Sequence, residues 1–113
     1  MNNNFLIIKE MKIFIKSIDN IVVNYPRKEL VIKNRILNDS LDILEHIYLA
    51  NYHKDSLKKR DIQMIILSKI SMLDFYLERS YENKYISEKV CINKCNHLVK
   101  IIKMINNWIK NGG

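Results

Sequence analysis

Glycine is almost missing from this chain. Of 113 residues only Gly112 and Gly113 are glycine, and Pro26 is the single proline. So little turn-forming material leaves no room for a succession of hairpins or for a glycine-rich phosphate loop. The two cysteines, Cys91 and Cys95, lie four apart. On a helix they share a face, and a disulfide between them strains ordinary helix geometry. A reduced, intracellular setting fits that spacing. No stretch approaches the ~18 apolar residues of a membrane span. The opening MNNNFLIIKEMKIF is no secretion signal, because Lys9 and Lys12 break its apolar run. The expected location is the cytoplasm, without membrane partners.

What is there suits helices. Leu, Ile, Lys, Glu and Met are compatible with them, and 113 residues make one domain with a real core. Four segments carry helical periodicity. In the first, Ile8, Met11, Ile15, Ile18, Val22 and Tyr25 step by three and four. In the second, Leu30, Leu37, Leu41, Leu44 and Tyr48 form a stripe with Ile36, Ile43 and Ile47 beside it. That face is wider than a two-stranded coiled-coil seam and needs more than one neighbour. In the third, Ile62, Ile66, Ile70, Leu73 and Leu77 align, with Ile65, Met72 and Tyr76 widening the stripe. In the fourth, Cys91, Cys95, Leu98, Ile102, Ile105 and Ile109 repeat without a miss.

The punctuation agrees. Pro26 ends one helix and can open the next. Asp55 or Ser56 is placed to cap the third helix and Ser87 the fourth. The expected helices span about 4–24, 28–50, 57–83 and 88–110. Joined by short turns, they imply an all-α, antiparallel up-down four-helix bundle.

Nineteen Lys and Arg against twelve Asp and Glu give a formal charge of +7. Such an excess suits a polyanionic partner, or simply lysines on the wet faces of a helical protein. The bundle topology sorts these cations. The turns between helices one and two and between three and four fall at one end. Arg27, Lys28, Lys33, Arg35, Arg79, Lys84, Lys89 and Lys94 therefore gather there, as candidate contacts to nucleic acid. Lys54, Lys58, Lys59, Arg60, Lys103 and Lys110 crowd the other end.

Other chemistry finds little footing. Cys91, Cys95 and His97 resemble a metal trio, yet His97 lies two positions past Cys95, about 200° around a helix. Two thiolates alone do not close a zinc site. Asp42, Glu45 and His46 approximate one half of a di-iron motif, which needs Glu-x-x-His on two helices. No nucleophile elbow, P-loop or metalloprotease motif is present. The expectation is a protein without catalytic residues, metal or cofactor. The tyrosines and Trp108 offer stacking surfaces for bases, but their positions on apolar stripes or at helix ends favour packing.

The order of these features resembles a known family. Tyr25-Pro26-Arg27-Lys28 is followed by Leu30 and Arg35, and Asp42-Ile43-Leu44-Glu45 leads to Ala50-Asn51-Tyr52. A long third helix ends in Lys84-Tyr85-Ile86-Ser87, and the last closes with Trp108-Ile109-Lys110. This pattern, over about Phe5 to Lys110, looks like the accessory variability determinant (Avd) proteins of diversity-generating retroelements. It is also similar to the four-helix bundles encoded in intervening sequences of 23S rRNA genes. Many relatives place Gly-Gly before the final Trp-Ile-Lys, where this chain has Asn106-Asn107.

The resemblance implies a non-catalytic accessory subunit. Avd proteins assemble into barrel-like homopentamers, bind RNA and DNA, and associate with a reverse transcriptase that copies a template repeat with adenine mutagenesis. Five copies would multiply the +7 of each chain, so weak contacts would add through avidity. Arg27, Lys28 and Arg35 match the family's basic start to helix two most closely, and the resemblance makes them the first candidates for contact with nucleic acid or with the polymerase. The rRNA-associated branch implies instead a stand-alone oligomeric bundle without a polymerase partner.

Overall fold

The computed structural model describes residues 3–112, with side chains described from Leu6 onward. The last residue of the expected C-terminal turn, Gly113, lies outside the described residues. Four helices follow one another: α1 (Asn3–Val22), α2 (Leu30–Tyr52), α3 (Ser56–Glu82) and α4 (Glu88–Lys110). No strand occurs among the described residues. The helices form a compact rod of 43 × 22 × 19 Å. Neighbours in the chain pack together, α4 returns to α1, and the diagonal pairs do not approach. This is the up-down square that short connections impose.

Local chemistry sets the ends. Asp55 Oδ1 accepts from the Leu57 and Lys58 N–H groups and caps α3. Ser87 Oγ accepts from Val90 N–H and caps α4. Helix α2 starts later than expected. Pro26 accepts from Glu29 N–H in a turn rather than opening the helix. Glu29 is the cap, its Oε1 accepting from Ile32 N–H at 3.1 Å.

The core corrects the expected stripe of α2 by one residue, about 100° of helix rotation. In α1, Met11, Ile18, Val22 and Tyr25 are buried as expected, while Ile7 and Phe14 are fully buried in place of the half-buried Ile8 and Ile15. In α2, Ile36, Ile43 and Ile47 are fully buried, whereas Leu30 and Leu41 are 57% and 54% exposed. The small residues Ser40 and Ala50 lie on the isoleucine side and let the backbones close in. Ser40 returns its hydroxyl to Ile36 O at 2.6 Å, so its burial leaves no orphaned donor. Leu37, Leu44 and Tyr48 flank the core instead. Their side of α2 faces α1, where Lys12 Nζ stands 6.0 Å from the centre of the Tyr48 ring. In α4 the inward set is Cys91, Leu98, Ile101, Ile105 and Trp108, with Cys95, Ile102 and Ile109 half-buried.

Candidate nucleic-acid interface

The two turns at the first end of the bundle are tied by tyrosines. The rings of Tyr25 and Tyr85 lie 5.2 Å apart, and Tyr85 donates its hydroxyl to Glu29 Oε2 at 3.1 Å. Glu29 thus holds the start of α2 and the turn before α4 with one carboxylate. That carboxylate, together with burial, pushes the Tyr85 phenol above its ordinary value, burial being the larger cause. Tyr25 is buried with its hydroxyl unpartnered, facing Ser80 outside hydrogen-bond geometry.

Around this tyrosine plug stand the eight cations expected there. Arg27, Lys28, Lys84 and Lys89 are exposed. Lys84 adopts φ 65°, and the chain closes α3 through Lys84 N–H to Tyr81 O and Tyr85 N–H to Ser80 O. Others are engaged. Arg79 pairs with Glu82 at 3.6 Å, and Arg35 approaches Asp39 at 4.0 Å. Lys33 is half-buried. Lys94 is half-buried too, and desolvation lowers its pKa. It lines a groove between α1 and α4 with Ser17, Asn20, Ile21 and Asn93.

Charge is not concentrated at this end. Its eight cations are interleaved with Glu29, Asp39, Glu78, Glu82 and Glu88. At the far end, Lys54, Lys58, Lys59, Arg60, Lys103 and Lys110 meet only Asp55 and Asp61. The first end therefore holds an excess of three and the far end an excess of four.

The asymmetry is lateral. Helices α2 and α3 together carry seven cations and seven carboxylates. Helices α1 and α4 carry eight cations and three carboxylates, Glu10, Asp19 and Glu88. After Glu88 the chain contains no Asp or Glu at all. One of the three is also occupied: Glu10 accepts from His97 and pairs with Lys100 at 3.4 Å.

The outer edge of α4 gives this face a form. Lys89, Asn93, Asn96, Lys100, Lys103, Asn107 and Lys110 step by four and three, and all are exposed. They make an unbroken ridge of ammonium and amide groups about 32 Å long at 1.5 Å per residue. Lys9, Lys12 and Lys16 stand on the neighbouring α1, also exposed. Such a ridge offers donors to phosphate and sugar oxygens. Of its lysines only Lys89 belongs to the expected cluster. The others were visible in the sequence as polar residues at helical spacing and as a carboxylate-free segment; sorting charges by helix end concealed them.

The metal-like trio is taken apart by the fold. His97 faces Glu10 and the ring of Phe14 on α1, at a centroid distance of 5.7 Å. Cys95 interacts with Asp74 of α3, and burial pushes its thiol well above the ordinary range. Cys91 donates to Leu77 O. Among the described residues no three His, Cys, Asp or Glu gather as metal ligands. Nor is any helix among them long and apolar enough to cross a membrane.

No family profile and no curated protein sequence matches this chain. Its fold matches a crystal structure of a Bacteroides thetaiotaomicron protein of unknown function from the S23 ribosomal protein family. The superposition has a TM-score of 0.87 and covers 96% of this chain and 99% of that one, at 20% identity. At that identity the likeness is one of fold.

Proposed function

We propose that this chain is a non-catalytic, nucleic-acid-binding subunit of a cytoplasmic homo-oligomer, with the reverse transcriptase of a diversity-generating retroelement as its protein partner. The observation that carries the binding role is the carboxylate-free α4 ridge beside the lysines of α1. It supplies cations and amides along one line, as a phosphate backbone requires, and only Lys100 among its lysines has an acid paired with it, Glu10 of α1. The order of motifs resembling Avd proteins supports the polymerase partner and the homopentamer. In a ring of five such bundles, each ridge would act on the same polyanion.

A second reading is a stand-alone RNA-associated bundle of the rRNA intervening-sequence type. The fold likeness to a chain from the S23 ribosomal protein family favours it. Absolute mass from light scattering after size exclusion tests the assembly. A pentamer supports the proposal, and a monomer removes the summed charge on which it depends. Co-purification with a reverse transcriptase separates the two readings, since only the first requires that partner.

A further inference from the structure

Lys94 stands on the inward stripe of α4, where packing favours an apolar side chain. It lies three residues after Cys91 and four before Leu98, both buried. Lys94 is half-buried, whereas the other lysines of α1 and α4 are all exposed. It makes no hydrogen bond or ion pair among the described residues. A partly desolvated cation without a counter-charge costs free energy until an anion meets it, and the lowered pKa of Lys94 follows from that desolvation.

The groove that Lys94 lines has a volume of about 370 Å³ and runs between the second half of α1 and the first turns of α4. Sites for small ligands span ~300–1,000 Å³. Ser17, Asn20 and Ile21 come from α1, and Val90 and Asn93 from α4. Ile21 and Val90 are half-buried and give the groove an apolar lining. The side-chain amides of Asn20 and Asn93 make no hydrogen bond among the described residues, so each keeps donors and an acceptor for a ligand. Ser17 Oγ gives its proton to Phe14 O at 2.7 Å and keeps its lone pairs. No carboxylate lines the groove. Asp19 is two positions past Ser17, about 200° round α1. Glu88 borders a separate groove with Ile92 and Asn96. The start of α4 does not supply the attraction, because Ser87 Oγ already accepts from Val90 N–H.

A cation for a phosphate oxygen, an apolar lining for the face of a base and free amides for its edge are the parts that recognise a splayed-out nucleotide. We infer that this groove holds one unstacked nucleotide of a single-stranded nucleic acid, with Lys94 on a phosphate and Asn20 and Asn93 on the base edge. The inference rests on the reading of the α1–α4 face as a nucleic-acid surface and adds to it a preference for single strands. A base in a duplex reaches such a groove only after unpairing and unstacking, which opposes binding.

The test uses the full chain with a short single-stranded RNA carrying one central 2-aminopurine, alone and annealed to its complement. The single strand should bind about tenfold tighter than the duplex at equal salt. The fluorescence of 2-aminopurine should rise as it leaves the stack, since no aromatic side chain lines the groove to quench it. Lys94→Gln removes the charge and keeps most of the stem. Asn20 is exposed, so Asn20→Ala keeps the fold even if the Lys94 variant does not. Each should cut the preference to about threefold or less and abolish the fluorescence rise, with duplex binding unchanged. Equal affinity for the two forms in the wild type overturns the groove, as does an unchanged preference in folded Lys94→Gln or Asn20→Ala. Lys100→Glu with Lys103→Glu alters the ridge and leaves the groove lining intact. If that variant weakens both forms and the wild type never distinguishes them, the ridge stands and the groove falls. If it binds as the wild type does while Lys94→Gln loses the single-strand preference, the groove stands and the ridge falls.

Discussion

His97 Nε2 lies 2.9 Å from Glu10 Oε1, across 87 positions of sequence. The contact joins α4 to α1, and Lys100 Nζ approaches the other carboxylate oxygen at 3.4 Å. Phe14 meets the imidazole edge-on, so the polar pair is backed by the core. Both partners of the pair are mostly covered, with side chains 15% and 18% exposed.

This pair predicts a pH limb. The hydrogen bond from His97 is the largest cause lowering the Glu10 pKa from 4.5, with Lys100 adding to it against a smaller cost of burial. A depressed carboxylate contributes stability that is complete above its unfolded value and is lost as pH falls through its folded value. Urea unfolding at pH 7 and in steps below 4.5 should therefore show stability falling in the acid range. Glu10→Gln should lose about 1–2 kcal/mol at pH 7 and flatten that limb. An acid limb of unchanged slope in the variant would assign it to other carboxylates.

A second prediction concerns backbone strain at Lys84. Among the described residues it alone holds a positive φ without being glycine. The left-handed conformation costs a side chain about 1–2 kcal/mol relative to the right-handed one, and the helix ending here needs it. Lys84→Gly relieves this but frees the unfolded chain, so the expected net gain is up to about 1 kcal/mol. Thermal unfolding measures it. A loss of stability would show that the lysine side chain contributes more than its backbone costs.

The third prediction tests the rotation of α2. Ile47 is fully buried and Leu41 is 54% exposed. Ile47→Ala should cost about 2–4 kcal/mol, and Leu41→Ala under about 0.5 kcal/mol in the isolated bundle. Comparable losses at both positions would mean that Leu41 is covered in solution by another copy, and light scattering on the variant would show it.

The same residues show what could be read from the chain alone. Helix number and connections were legible because single capping residues mark them: Asp55 and Ser87 act as expected, and the turn at Pro26 divides α1 from α2. Glu29 escaped notice because its second partner, Tyr85, lies 56 residues away. In α2 both the leucine and the isoleucine series have helical spacing, so periodicity could not choose between them. The choice falls to the small Ser40 and Ala50, whose value appears only when a neighbour approaches. Glu10–His97 carries no local signature, since neither residue belongs to a motif. The α4 ridge is the opposite case, complete in the sequence but hidden when cations are sorted by end rather than by face.

The final prediction separates ridge from end. Lys89→Glu, Lys100→Glu and Lys103→Glu together reverse three exposed cations on α4. Arg27→Glu with Arg35→Glu reverses two at the tyrosine-plugged end, where Arg35 already leans on Asp39. None of these side chains is buried, so helicity by circular dichroism should be unchanged. If the phosphate backbone lies along α4, the triple variant should lose about tenfold or more in RNA affinity at moderate salt. The slope of log affinity against log salt should fall by about 0.7 for each single-strand phosphate contact removed. The double variant should lose less. The reverse order, with the end variant failing and the ridge variant binding normally, would return the interface to the turns around Pro26 and Lys84. Equal, small losses in both would mean that the +7 of the chain acts as a diffuse field rather than through a surface.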